Sequence, residues 1–128
     1  MAASRAHVIG VGMTKFSLAG KSKSDWPEYG SAAAAAALKD AGTDFSDVQA
    51  AVAGYCYGDP TCGQRVVYEL GLTGIPIVNV NNNCSTGSTA LYVAREMIAS
   101  GHDCVLAVGF EKMEVSTRHQ LAQSCCLL

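Results

Sequence analysis

Four short apolar runs alternate with three helical patterns, and this alternation constrains the fold more than any other feature of the 128-residue chain. The runs are residues 7–12 (HVIGVG), 48–55, 75–80 and 104–110 (CVLAVGF). Each is short, rich in small or β-branched apolar residues and bounded by glycine or polar residues, as strands buried on both faces are. Residues 25–41, 62–70 and 85–100 carry the helical signals. The first has Asp25 or Ser24 as a cap, Pro27 in its opening turn, an alanine run at 32–37 and Gly42 as its stop. The second ends at Gly71; the third sets Leu91, Ala94 and Ile98 on one face and ends at Gly101. The order βαβαβαβ predicts an α/β fold, with a mainly parallel sheet, right-handed crossovers and helices on both faces.

Composition excludes several classes of function. Hydrophobic residues make up 49% of the chain and charged ones 16%, so the chain is globular rather than disordered. The net charge of -2 provides no basic stripe for nucleic acid or an anionic membrane. No apolar stretch is long enough for a membrane span, and MAASRAHVIG lacks the apolar region of a secretory signal. The six cysteines are therefore expected to be reduced thiols in an intracellular compartment.

Several motifs are decoys. Gly20-Lys21-Ser22 ends like a phosphate loop, but the required earlier glycine is Lys15. Gly10-Val11-Gly12 lacks the third glycine of a dinucleotide fingerprint. Cys56 and Cys62 have no nearby histidine, so no metal is expected there, and both read as small, half-buried hydrophobes. The final CCLL, residues 125–128, has the spacing of a prenylation box without polybasic support and reads as an unstructured end.

The stretch IVNVNNNCSTGSTALYVA, residues 77–94, is where chemistry is expected. In an α/β sheet reactive groups gather at the carboxyl ends of the strands. Cys84 follows the third strand and opens the third helix, where the macrodipole and unpaired N–H groups favour a thiolate. Asn82 or Asn83 is expected to cap that helix, and Ser85, Thr86, Gly87 and Ser88 leave room for a ligand. The alternative is a buried structural cysteine.

The block GIPIVNVNNNCSTGSTALYVAREMIASGHDCVLAVGFEKM resembles the thiolase domain of the sterol carrier protein X family, a group of peroxisomal 3-oxoacyl-CoA thiolases. VGMTKF and YGDPTCGQRVVYELGLTGIP match the family in the same order, so the resemblance runs over residues 7–113. It implies a thiolase fold and a nucleophilic cysteine, at Cys84, that carries an acyl group as a thioester. It also implies an acyl-CoA substrate in lipid or sterol side-chain oxidation, coenzyme A as co-substrate, no further cofactor and a peroxisomal location.

Past Met113 the sequence leaves the family pattern. Residues 7–113 are therefore expected to be an incomplete thiolase-like domain and 114–128 a divergent tail, with little turnover alone. The family's GHP and HDCF histidines and its CxG cysteine lie in a second half; Gly101-His102-Asp103-Cys104 and Cys56-Tyr57-Gly58 only echo them. His102 lies beyond the far end of the helix that Cys84 opens, about 25 Å away at 1.5 Å per residue. His7 starts the first strand, at the wrong edge, whereas His119 lies where it could reach the thiol. An alternative expectation is a non-catalytic module whose third strand, at Val78 to Val80, pairs with a second copy or with a longer thiolase.

Overall fold

The computed structural model describes residues 5–18, 20–113 and 121–122. In chain order the elements are β1 (Ser17–Leu18), α1 (Trp26–Ala41), a 3-10 turn (Phe45–Asp47), β2 (Ala50–Gly54), α2 (Cys62–Val67), β3 (Ile77–Val80), α3 (Thr86–Ala99), β4 (Val105–Gly109) and β5 (Leu121–Ala122). β3, β2 and β4 form a parallel sheet in the order β3-β2-β4. The register pairs Gly54 with Val80 on one side and with Gly109 on the other, so all three strands end at one edge.

Side-chain alternation along the strands divides the core in two. Ala51, Ala53, Leu106 and Val108 face α1 and α2, packing with Ala33, Ala34, Val66 and Val67. Val52 and Ala107 face α3 and meet Ala90 and Ala94. Helices thus cover both faces of the sheet, as the alternation predicts. Every residue of β2 (AAVAG) is buried, and its small side chains let both helical layers approach closely.

α1 follows its sequence signals. Asp25 caps it, its Oδ1 accepting the Trp26 N–H at 2.8 Å, while the Glu28 carboxylate accepts the Asp25 N–H at 2.9 Å. Gly42 ends it in the left-handed conformation, at φ 64°. Trp26, Tyr55 and Phe110 stack against one another with ring centroids 5.0–5.8 Å apart, joining the start of α1 to the ends of β2 and β4.

One expected element is absent. Residues 7–12 form no strand; residues 5–16 have no regular secondary structure, and Val8, Ile9 and Val11 are more than half exposed. Apolar composition alone does not make a strand: backbone groups need a laddered neighbour. This segment lies on α1 instead. Gly10 and Gly12 contact the helix backbone at Ala37 and Ala33, and Val11 N–H donates to Asp40 Oδ2 at 2.9 Å. The expected tail also contributes one ladder, in which Leu121–Ala122 pairs antiparallel with Ser17–Leu18.

Candidate functional site

The common end of the three strands delivers three segments to one edge: Tyr55 and Cys56 after β2, Asn81 to Cys84 after β3, and Glu111 after β4. α3 rests on the same edge. A Cβ on Gly54 would lie 2.6 Å from Thr86 Cγ2 and 3.1 Å from Thr86 O, so glycine is what allows the first turn of α3 to settle on β2.

A hydrogen-bond network binds these segments together. Thr86, only 5% exposed, is at its centre. Its hydroxyl accepts the Asn82 N–H at 2.7 Å and donates to Asn83 O at 2.6 Å. The Cys56 thiol donates to the same Asn83 carbonyl at 2.8 Å and lies 3.2 Å from the Thr86 hydroxyl. Asn81 Nδ2 donates to Cys56 O at 2.9 Å, and the Cys56 N–H donates to Glu111 Oε2 at 3.0 Å. The other carboxylate oxygen, Glu111 Oε1, is buried and has no hydrogen-bond partner among the described residues.

Cys84 stands exposed in front of this network. It is preceded by Asn83, a non-glycine residue at φ 49°, and followed by Ser85, the first flanking residue of α3. That left-handed turn aims the chain outward before the helix begins. Gly87 has open space beside it, and the N–H groups of Gly87 and Ser88 have no acceptor among the described residues, as expected in an opening helical turn. The asparagine side chains do not cap the helix. Asn82 Nδ2 donates to Thr89 Oγ1 at 3.0 Å, no side-chain bond caps the helix at Ser85, and the Asn83 carbonyl accepts the Thr86 N–H at 3.0 Å.

Cys56 had the sequence signature of an ordinary strand-end hydrophobe, and the structure makes it a neighbour of Cys84. Desolvation by burial pushes its thiol above the usual range; the Thr86 hydroxyl offsets part of this, and Glu111 pushes the same way as burial. Burial likewise raises the Cys62 thiol, which sits 3.6 Å from Asn79 Oδ1 on the α2 side.

The histidines divide as geometry requires. His7 lines a cavity with Asp103, Cys104 and Val105, at the starting end of β4. His102 lies just past α3, its Nδ1 3.1 Å from Met97 O. Both belong to the edge opposite Cys84. His119, Cys125 and Cys126 lie outside the described residues. No group of three metal-ligating side chains occurs among the described residues, and no helix there is long and apolar enough to cross a membrane.

Comparison with known proteins places this site in context. Residues 6–125 match the family profile "Thiolase, N-terminal domain". Sterol carrier protein 2 of Gallus gallus is 56% identical over 111 residues, which is 85% of this chain and 20% of that protein. Benzoylsuccinyl-CoA thiolase subunit BbsB of Thauera aromatica is 36% identical over 110 residues, 84% of this chain and 28% of that protein. The crystal structure of 3-oxoacyl-[acyl-carrier-protein] synthase III from Aquifex aeolicus VF5 superposes with a TM-score of 0.70 at 19% identity, over 81% of this chain and 44% of that one. The chain thus spans about a fifth of the length of the sterol carrier relative.

Proposed function

Since the chain belongs to the thiolase family, as a member of its N-terminal domain, we propose that it contributes the acyl-acceptor cysteine of a 3-oxoacyl-CoA thiolase, with Cys84 as the nucleophile. The Cys84 thiolate attacks the 3-oxo carbonyl of the acyl-CoA. The C2–C3 bond breaks, the proton given up by the thiol is returned to C2 so that acetyl-CoA leaves, and the acyl group stays on sulfur until a second coenzyme A takes it. The observation that carries this reading is the placement of Cys84: exposed, at the carboxyl edge of a parallel sheet, in the turn that opens α3. The acyl-CoA substrate, coenzyme A as co-substrate and a peroxisomal setting all come from the resemblance to sterol carrier thiolases.

Neither His7 nor His102 reaches Cys84, so within the described residues the thiol has no histidine base. Acylation without sustained turnover is therefore the expected behaviour of this chain. The test is incubation with acetoacetyl-CoA, followed by mass spectrometry of the peptide that carries Cys84. A thioester on Cys84, absent from Cys84→Ser, supports the reading; an unmodified Cys84 at saturating substrate overturns it.

The open outer edge of β3 favours a second reading, a module that pairs edge to edge with a second copy or with a longer thiolase. Size-exclusion chromatography of the chain alone and with full-length thiolase decides it, and a monomer that ignores the enzyme rules it out.

A further inference from the structure

We propose that Cys56 and Cys84 form an intramolecular disulfide when the chain meets a hydroperoxide, so that the strand-end cysteine is the resolving thiol for the exposed one. The geometry starts from one hydrogen bond. Cys56 Sγ lies 2.8 Å from Asn83 O, the carbonyl of the peptide that joins Asn83 to Cys84. Standard peptide dimensions then place Cys56 Sγ within about 6 Å of the Cys84 Cα. Forming the bridge means closing a gap on the order of 3 Å. The short turn after Asn83 supplies that movement, because Cys84 is exposed and no side-chain bond of its own holds it among the described residues.

The two thiols have complementary surroundings. Cys84 is open to an oxidant from solvent. Cys56 is half-buried and held in place by Asn83 and Thr86. Its thiol must lose a proton to react, and burial resists that loss. The acceptor is at hand: Glu111 binds the Cys56 N–H through Oε2, and its Oε1 is buried with no partner among the described residues. No other described cysteine is so placed. Cys62 is held beside Asn79, and Cys104 precedes β4 at the opposite edge.

The step balances. The Cys84 thiol gives up its proton and the thiolate attacks the outer oxygen of the hydroperoxide; the O–O bond breaks, the departing alkoxide or hydroxide takes up that proton and leaves as alcohol or water, and Cys84 becomes a sulfenic acid. Cys56 passes its proton to Glu111, and its thiolate attacks the Cys84 sulfur. The S–S bond forms, the S–O bond breaks, and the departing hydroxide takes the proton back from Glu111 as water. Two thiols are oxidised by two electrons and one O–O bond is reduced.

The bridge does not depend on Cys84 accepting an acyl group, so its test is separate. The whole chain is treated with hydrogen peroxide, the remaining thiols are alkylated, and the chain is digested without reduction. After trypsin the bridge links the peptide ending at Arg65 to the one ending at Arg95, and chymotrypsin, cutting after Tyr57, separates Cys56 from Cys62. The expected result is a Cys56–Cys84 link whose yield is unchanged by dilution. Alkylation of Cys84 is lost in the oxidised fraction and restored by dithiothreitol. Cys56→Ser should instead leave Cys84 as sulfenic or sulfinic acid. A wild-type chain that over-oxidises Cys84 while Cys56 stays alkylatable, or that bridges Cys84 to any other cysteine, overturns the proposal.

Discussion

Gly54 and Thr86 are in contact where the central strand meets the first turn of α3: a Cβ added at Gly54 would come to 2.6 Å from Thr86 Cγ2. The start of the helix is therefore seated on strand backbone, and Cys84, two residues ahead of Thr86, takes its position from that seat. Gly54→Ala forces the two apart and is expected to cost roughly 1–3 kcal/mol, the usual range for overpacking a tight interior. Urea unfolding measures the loss. Because the displaced element carries the Cys84 turn, iodoacetamide should also alkylate Cys84 at a changed rate, whereas Cys104 at the opposite edge should keep its own.

The Thr86 hydroxyl makes two bonds at once, accepting from Asn82 N–H and donating to Asn83 O. Thr86→Val keeps the shape and removes both. It leaves the part-buried Asn82 amide without its acceptor, which is expected to cost about 1 kcal/mol. Thr86→Ser keeps the hydroxyl and should recover most of that loss in the same unfolding assay. Equal losses in the two variants would mean that packing, not hydrogen bonding, holds the turn.

The Asp25 carboxyl is held below the usual carboxylate range, first by the bond from Trp26 N–H and then by Lys112, whose Nζ lies 3.2 Å from Oδ1. A depressed folded pKa gives stability that is present above the unfolded value and lost as the pH falls through the folded one. Unfolding midpoints should therefore drop as the pH is taken below about 4. Asp25→Asn keeps a capping side chain and removes the charge, so the gap between variant and wild type should narrow over that range. A gap that stays constant would exclude Asp25 as a source of the acid sensitivity.

Burial pushes the Tyr55 phenol well above its usual range, and Glu111 adds to the shift. A raised folded pKa gives stability that is complete below the unfolded value, near pH 10, and is lost as the pH rises from there towards the folded one. In a spectrophotometric titration the Tyr55 signal should appear only as the chain unfolds. Tyr55→Phe should flatten the alkaline loss of stability.

The elements whose signals are local were legible in the sequence. Asp25, Glu28 and Gly42 mark α1 because capping is settled within a few residues, and the apolar runs at β2, β3 and β4 name the sheet. Residues 7–12 carry the same kind of signal and form no strand, because a ladder depends on a neighbour that composition cannot specify. The placement of Cys84 at the strand-to-helix turn could be read from its neighbours. The role of Cys56 could not: its partners Asn83 and Thr86 lie 27 and 30 positions away, and only the parallel register brings them together. Three consecutive asparagines suggest an asparagine cap, but α3 opens at Ser85 with no side-chain cap, and the Asn82 amide donates to Thr89 instead.

The central strand AAVAG has a ladder on each side and a helical layer on each face. Such a strand opens only when the whole domain opens, so its amides should be the last in the chain to exchange their hydrogens for deuterium. Cys56 hangs two residues from its end. The strand end beside Cys84 thus belongs to the part of the molecule expected to exchange last, while Cys84 itself stands on a solvent-facing turn.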